Sequence, residues 1–312
     1  MKRWQWVCWL WLGTASFAAG PGGMAEGVRD ETLDRRVQEV VTAWTAKPRP
    51  KPLKPEEVAV TLIDVTDPAR LRWGSHRGDQ PIYPASVVKL FYLVAAHRWM
   101  EDGKLDESDE LKRAMRDMIV DSYNEATHYV LDVLTGTTSG PELAPDSLRA
   151  WHDQRNAVNR YFTSLGYTGI NCNKKPWCEG PYGREVQAIR TFEPKRNLLT
   201  TDATARLMTD IALDRVITPA RCDKMRALLT RDPAAPATPE DQVHGFIGSG
   251  VPAGTKVWSK AGWTSQTRHD CALLHLPDGR KWVLVIFTEA HAPEEDLVPG
   301  IAGELIATLP AK

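Results

Sequence analysis

The sequence predicts a mixed α/β fold in which helices flank one antiparallel sheet assembled from both ends of the chain, with an all-helical insertion between those ends. Strand-like segments occur early, near residues 58–73, and late, near residues 255–287. The residues between them show mostly helical periodicity. No internal repeat or second independent unit is visible in the sequence, so we expect one domain over residues 57–312.

The first 18 residues are predicted to be a cleaved export signal rather than part of the fold. Lys2 and Arg3 precede the short apolar run from Trp4 to Leu12, and small residues follow, with cleavage expected after Ala18. The apolar run is too short to span a bilayer. We therefore expect an exported protein, periplasmic or secreted, with no membrane span after cleavage.

The composition is that of an ordinary globular protein, with 42% hydrophobic and 25% charged residues. The formal net charge of −1 gives no reason to expect nucleic acid or an anionic membrane as a partner. We expect a monomer.

Residues 19–56 are predicted to form a helix and a connector ahead of the domain. Apolar residues recur at helical spacing between Leu33 and Trp44, which predicts a helix over residues 30–46. The Pro- and Lys-rich residues 47–55 are expected to be extended, because this composition favours a semi-rigid connector.

The remaining elements follow from side-chain period and turn chemistry. Strands are predicted at 58–65, 71–73, 255–260, 272–276 and 282–287, the last two as a hairpin across Pro277-Asp278-Gly279. Helices are predicted at 87–100, 110–120, 125–134, after the N-cap signal at 200–202, at 219–229 and at 300–309. Residues 135–195 contain Pro-, Gly- and Cys-rich loops for which we predict no elements.

Four cysteines follow the predicted signal, and an even count in an exported chain favours disulfides. Cys172 and Cys178 bracket a turn-like pentapeptide, which predicts a small closed loop. A bridge between Cys222 and Cys271 is an open alternative, as are free thiols or a metal knuckle. No Cys-x-x-Cys pair supports a metal site, and we expect neither metal nor cofactor.

The strongest chemical signal is a single lysine inside an apolar helix. Residues 87–96 are apolar on nearly every side, which predicts a buried helix whose only charge is Lys89. Burying an ammonium group is costly unless it is paired, and it lowers the pKa toward the range useful for a base. Ser86 lies one turn earlier on the same face, at a helix start that favours developing negative charge. A serine there is often only an N-cap, but a lysine in register with it favours a nucleophile.

Two further short patterns add polar groups. Ser122-Tyr123-Asn124 falls between two predicted helices, where side chains can project into a cleft, although Ser and Asn are also common turn residues. Lys260-Ala261-Gly262 ends a predicted strand, where Gly262 would allow close approach of a ligand and Lys260 would also suit an edge strand. With the first pattern they supply the groups needed for acyl transfer through a serine ester without a His-Asp pair.

Competing patterns are weaker. The sequence contains no Gly-x-Ser-x-Gly elbow and no His-Glu-x-x-His zinc motif. Gly248-Ser249-Gly250 imitates a dinucleotide-binding loop but leads into a predicted strand. His269 and Asp270 are adjacent and do not face each other on a strand, so we expect a structural or substrate-rim role for them.

The three patterns, in their order, resemble those of the penicillin-recognising serine enzymes, specifically the class A β-lactamase-like group. Tyr83–Leu90 resembles the family's nucleophile helix, Asp121–Thr127 its Ser-Asp-Asn loop, and Trp258–Thr264 its Lys-Thr-Gly strand. Arg196–Thr201 resembles the entry to the helix after the family's Ω-loop. The resemblance runs from Val58 to the C-terminus and implies a β-lactamase/transpeptidase-like fold.

The resemblance also implies roles for individual residues. Ser86 would attack a lactam or peptide carbonyl, with Lys89 as proton acceptor or organiser, and Ser122 would pass a proton to the leaving nitrogen. The backbone N–H groups of Ser86 and Trp263 would form the oxyanion hole. Asn124 would bind the amide of the substrate side chain, and Lys260 would bind the substrate carboxylate and hold Ser122. The substrate-binding residues implied in this way are Asn124, Lys260, Gly262, Trp263 and Thr264.

The sequence departs from the family pattern in one important place. The Glu-x-x-Leu-Asn signature, whose Glu activates the water that releases the acyl group, is not found. Glu185 is the predicted substitute, ahead of Glu179 and Glu193. Tyr123 and Ala261 replace the usual Asp and Thr or Ser, which are milder changes.

The resemblance therefore implies a serine hydrolase of the β-lactamase type whose substrate is a small β-lactam or a peptidoglycan-like molecule. Two alternatives stay open: a D,D-peptidase or esterase with the same site, and a penicillin-binding or sensor module without turnover.

Overall fold

The structure, a computed structural model, describes residues 27–177, 179–238 and 241–309. The predicted export signal lies outside these residues. The strands are β1 (Val28–Arg29), β2 (Val58–Asp64), β3 (Arg72–His76), β4 (Thr230–Arg231), β5 (Lys256–Trp263), β6 (Thr267–His275) and β7 (Lys281–Glu289). They form one sheet in the order β1-β3-β2-β7-β6-β5-β4, antiparallel except for the β1–β3 pair. The predicted sheet from both chain ends is confirmed.

Helices cover both faces of the sheet and form the segment between β3 and β4. The helices are α1 (Glu31–Thr45), α2 (Lys89–Glu101), α3 (Asp109–Ile119), α4 (Asn124–Thr135), α5 (Pro145–Arg155), α6 (Ala157–Ser164), α7 (Gly183–Thr191), α8 (Thr201–Ala212), α9 (Pro219–Leu229), α10 (Ile247–Gly250) and α11 (Leu297–Thr308). Short 3-10 turns occupy Pro55–Glu57 and Ala85–Val88. Helices α5 to α7 lie in the region 135–195, for which we predicted no elements.

The sheet separates two hydrophobic cores, as the side-chain alternation of β7 shows. Val283 and Val285 point into the core formed with α2 and α8, whereas Leu284 and Ile286 point into the core formed with α1 and α11. Helix α1, predicted to precede the domain, thus packs directly on the sheet. Its start is fixed by Asp30, whose carboxylate accepts hydrogen bonds from the first-turn N–H groups.

Helix α2 lies inside the larger core. Its residues from Lys89 to His97 are all buried, because the sheet, α8 and the helical segment surround it. The 3-10 turn that precedes α2 packs against β5 and β6. This packing holds the first residues of α2 against β5. The three sequence patterns, which begin at Ser86, Ser122 and Lys260, meet there.

The predicted Cys172–Cys178 disulfide is wrong, because Cys172 is a free thiol, and the possible Cys222–Cys271 bridge is not formed either. Cys172, Cys222 and Cys271 are free thiols buried in the larger core, where a cysteine packs as a small apolar side chain. The other half of the expected Cys172–Cys178 loop, Cys178, lies outside the described residues. No helix in the described part of the chain has the length and apolar character needed to cross a membrane.

Candidate active site

Ser86 lies in a tight turn at the start of the central helix. The preceding residue, Ala85, has a φ of 46°, a left-handed conformation that costs energy for a residue with a side chain. Ser86 is half-buried, and the 3-10 turn runs directly into α2 at Lys89. The predicted one-turn spacing on a single helix is therefore realised as a 3-10 turn followed by an α-helix.

Lys89 is fully buried, as its apolar surroundings in the sequence predict. Its Nζ donates to the carbonyl oxygen of Ser122 at 2.5 Å, to Ser122 Oγ at 3.2 Å and to Asn124 Oδ1 at 2.8 Å. These bonds link the first and second sequence patterns. They also satisfy a buried ammonium group, which would otherwise be costly.

Ser122 connects α3 to α4 and receives hydrogen bonds from two lysines. Its φ of 59° is again left-handed, and Lys260 Nζ donates to its Oγ at 3.0 Å. A hydroxyl oxygen that accepts two hydrogen bonds still has its own proton to donate. With Lys89 and Lys260 both donating to Ser122 Oγ, that proton is directed toward a third partner.

Lys260 lies on β5 and is fully buried. Besides Ser122, its Nζ donates to Gln242 Oε1 and to the carbonyl oxygen of Ala261, the latter at 2.7 Å. Burial, and then the positive charge of Lys89, lower the pKa of Lys260 well below its ordinary value. Gln242 was missed in the sequence, because a single glutamine in a loop carries no motif.

Gly262 is required by a contact within the protein. A Cβ at this position would lie 2.6 Å from Ser86 N and 2.8 Å from Val87 N, so only glycine lets β5 approach the nucleophile turn this closely. The sequence predicted close approach of a ligand, whereas the structure places the Ser86 backbone there. Trp263, the next residue, is 37% exposed. The Thr264 hydroxyl accepts from the N–H groups of Gln266 and Thr267 in the β5–β6 turn, so its role in substrate binding stays a prediction.

His269 and Asp270 lie on β6, next to β5, and hold backbone groups around the site. Thr288 N donates to His269 Nδ1 at 3.1 Å, so Nε2 carries the proton and donates to the Tyr83 carbonyl at 2.9 Å. Burial lowers the pKa of His269 to about 4. The Asp270 carboxylate accepts from backbone N–H groups at Ile247 and Cys271, and burial raises its pKa to about 7. These contacts are those of scaffold residues.

Glu185 lies on α7 in a separate group of buried charges. Its carboxylate accepts from Arg155 Nη2 and from Ser139 Oγ, both at 2.9 Å, and lies 3.7 Å from Lys175 Nζ. Arg155 and Lys175 also bind the carboxylate of Asp132, at 2.9 and 2.6 Å. We call the group formed by Asp132, Ser139, Arg155, Lys175 and Glu185 the distal cluster.

The distal cluster lies away from the nucleophile. Asp132 is eight residues after Asn124 on α4, which is about 12 Å along the helix axis. No described hydrogen bond joins Glu185 to Ser86, Lys89 or Ser122. The role of Glu185 as the deacylation base stays a prediction, as do those of Glu179 and Glu193, which are exposed.

The segment 171–176 carries Lys175 of the distal cluster and packs against α4. It is buried along its whole length and runs beside α4, where His128 Nε2 donates to the Pro176 carbonyl and Lys175 binds Asp132. Asn197 fixes it with two hydrogen bonds to the backbone of Lys174. No group of three or more His, Cys, Asp or Glu residues that could hold a metal ion occurs within the described ranges.

Fold and site together define a β-lactamase-like serine enzyme. Residues 53–309 match the family described as the β-lactamase enzyme family, and the chain belongs to this family. No curated protein matches the chain.

Solved structures share this fold at low sequence identity. A β-lactamase from Sphaerobacter thermophilus is 20% identical, with a TM-score of 0.61 over 88% of this chain and 95% of that one. A mutant of PBP-A in an acyl-enzyme complex with penicillin G is 15% identical, with a TM-score of 0.63 over 90% and 97%. A class A β-lactamase from Bacteroides cellulosilyticus is 14% identical, with a TM-score of 0.62 over 90% and 99%.

Proposed function

We propose that this protein opens β-lactams by forming an ester between Ser86 Oγ and the lactam carbonyl carbon. One observation carries the proposal: two buried lysines from different elements, Lys89 on α2 and Lys260 on β5, donate to the same hydroxyl oxygen of Ser122. Such an arrangement has a direct use in moving one proton from a nucleophile to a leaving nitrogen.

The proposed reaction assigns each proton to a named group. Ser86 Oγ attacks the carbonyl carbon, and its proton passes to Lys89 when that side chain is a neutral amine. When Lys89 is an ammonium, the proton passes instead along the hydroxyls that Lys89 organises, toward Ser122. When the C–N bond breaks, Ser122 donates its proton to the nitrogen and is reprotonated from the lysine side. Lys260 holds a carboxylate on the substrate, since a charged donor binds an anion strongly.

The backbone around Ser86 supports stabilisation of the developing oxyanion. The N–H of Ser86 lies against Gly262, and Trp263 follows immediately on β5, so both proposed N–H donors come from packed, rigid elements. A donor of this kind contributes about 3–4 kcal/mol to the transition state. The left-handed Ala85 turn fixes the direction in which the Ser86 N–H points.

A second candidate function is favoured by the state of Glu185. Its carboxylate is engaged by Arg155 and Ser139, which makes it poorly suited to activate water at the acyl ester. Without a base the ester persists, as in a slow D,D-peptidase or esterase acting on a peptidoglycan-like substrate, or in a penicillin-binding sensor.

One pair of assays tests these functions. The mature protein is incubated with a fluorescent penicillin, to detect a stable adduct, and with a chromogenic cephalosporin, to detect turnover. Multiple turnover supports the β-lactamase, whereas stoichiometric stable labelling supports the second candidate. Absence of both labelling and turnover, or labelling or turnover that survives Ser86→Ala, contradicts the assignment of the site.

The variant Glu185→Gln then tests the base. If Glu185 activates water, acylation stays intact and release of the acyl group slows. If release is unchanged, Glu185 is not the base and its role is confined to the distal cluster.

A further inference from the structure

Gln242 is a buried side chain that forms hydrogen bonds to two elements of the candidate active site, β5 and the C-terminal end of α3. It is 3% exposed, and its amide oxygen accepts from Lys260 Nζ and, at 3.2 Å, from the N–H of Ala261. Its amide nitrogen donates to the carbonyl oxygens of Ile119 and Val120, at 3.0 and 2.8 Å. All the hydrogen-bonding capacity of one neutral side chain is thus used at this place.

The two carbonyls are not arbitrary partners. They belong to the C-terminal end of α3, where the last carbonyls of a helix lack partners within the helix. Ser122 follows Val120 by two residues and stands in a left-handed conformation. Gln242 therefore ties the lysine of β5 to the chain segment that sets the position of the Ser122 hydroxyl.

The neutrality of the amide matters for the charge of Lys260. Its three acceptors, on Ser122, Gln242 and Ala261, are all neutral, and the structure gives Lys260 no ion pair with any described carboxylate. A carboxylate acceptor would cancel the ammonium charge, whereas an amide oxygen orients it and leaves the charge for an anionic ligand.

Other charged groups surround Lys260 at longer range. Lys89 from α2 and Arg231 from β4 disfavour its positive charge, and Asp270 from β6 favours it. The Asp270 carboxylate accepts its hydrogen bonds from the N–H groups of Ile247 and Cys271, not from Lys260. Gln242 is thus a direct acceptor for Lys260 that adds no charge.

We propose that Gln242 is a positioning residue for acyl transfer, which orients the Lys260 ammonium toward Ser122 and toward a carboxylate on the substrate. The inference rests on the proposed function and extends it. In this proposal Lys260 recognises an anionic substrate, because no carboxylate compensates its charge.

Two nearly isosteric variants test the proposal, because it predicts that they move the alkaline limb of the pH profile of acylation in opposite directions. Gln242→Met removes the acceptor from the buried ammonium, so its charged form becomes less stable. We expect the acylation rate constant to fall about 10- to 100-fold, the range for losing a hydrogen bond to a charged group. The alkaline limb of its pH profile should move to lower pH.

Gln242→Glu keeps an acceptor but adds a negative charge. The alkaline limb of acylation should then move to higher pH, since a neighbouring carboxylate stabilises the ammonium. Acylation by benzylpenicillin is compared with acylation by its methyl ester. The preference of the unmodified protein for the free carboxylate should shrink in this variant, because the Lys260 charge is compensated.

Gln187→Met is the matched control. Gln187 also bridges backbone groups through both ends of its amide, donating to the Leu143 carbonyl and accepting from the Leu143 N–H, each at 2.8 Å. It should lower stability in urea without changing the pH profile of acylation or the preference for the carboxylate.

The outcomes separate the two proposals. If the unmodified protein forms no Ser86 ester, the proposed function fails. If it does, but both Gln242 variants keep its pH profile and substrate preference while losing stability like the control, Gln242 is only structural and the inference is overturned. Opposite shifts of the alkaline limb support it.

Discussion

The two ends of helix α4 hold buried cations in opposite ways. At its N-terminal end, Lys260 donates to a hydroxyl, an amide oxygen and a carbonyl, and Lys89 donates to oxygens of Ser122 and Asn124. At its C-terminal end, Arg155 and Lys175 bind carboxylates in the distal cluster.

This difference distinguishes a reactive site from a structural one. A buried ion pair has its charge already compensated, and it contributes mainly to fixing the position of the elements that carry it. A buried ammonium on neutral acceptors has a charge that no carboxylate compensates, and for Lys260 burial also lowers the pKa; acyl transfer can use both properties. Sequence-distant elements bring lysines to both ends, and their acceptors decide what each end does.

The largest expected effect comes from removing a lysine at the N-terminal end. Lys89→Met should lower the rate constant of acylation by fluorescent penicillin about 100- to 10,000-fold, the usual contribution of a positioned acid–base group. Lys175→Met, in the distal cluster, is the matched change and should leave acylation unchanged. Equal losses in stopped-flow labelling would contradict the division between the two ends.

The distal cluster should dominate stability. Arg155→Met leaves Glu185 without its closest cationic partner in a buried site, which we expect to cost about 3 kcal/mol in the free energy of unfolding. Urea denaturation measures this cost, and penicillin labelling of the folded variant should proceed at the normal rate. A cost typical of an exposed ion pair would contradict a structural role for the cluster.

Acid should reduce the stability contributed by His269, which holds the Tyr83 carbonyl near Ser86. The pKa of His269 is about 4 in the folded protein and is expected near 6.5 when unfolded, so the unfolded chain binds more protons between these values. The contribution of His269 to stability should therefore fall by about 3 kcal/mol as the pH drops from about 6.5 to about 4. Asp270, whose pKa is raised to about 7, contributes in the opposite direction, so the effect of His269 is read from a variant that removes it.

His269→Gln isolates the contribution of His269, because Gln keeps a donor and an acceptor but does not titrate. The variant should lose less stability over this pH window than the unmodified protein, as measured by urea denaturation at each pH. Parallel pH dependences would show that His269 does not remain neutral in the fold.

The smallest expected effect concerns the thiols. Cys222 and Cys271 are free and fully buried, and burial raises the pKa of each thiol. A thiol reagent should label them slowly in the native protein and completely in denaturant without reductant. If labelling in denaturant requires a reductant, the thiols are bridged.

Much of the fold was predictable because its signals are local. Helix α9 has the predicted bounds, Thr200 caps α8 as expected, and the late hairpin was found from alternation and its Pro-Asp-Gly turn. The burial of Lys89 followed from its apolar neighbours alone. These features depend on residues close together in the sequence.

The remainder depends on contacts between distant residues. Helices α5 to α7 have short or mixed apolar patterns. Helices α5 and α7 carry Arg155 and Glu185 of the distal cluster, and α6 packs Val158 and Phe162 into the larger core. Gln242 is joined to Lys260 and to α3 only by the fold. Glu185 was chosen for its place in the sequence, which reveals nothing of its pairing with Arg155.

The central claim is that Ser86 forms an ester with its substrate at the N-terminal end of α4. Intact-mass spectrometry of the protein after incubation with benzylpenicillin, followed by peptide mapping, tests it most directly. We predict one adduct with the whole mass of the penicillin, located on the peptide that contains Ser86 and absent in Ser86→Ala. An adduct on another peptide, or no adduct together with no hydrolysed benzylpenicillin, would contradict it.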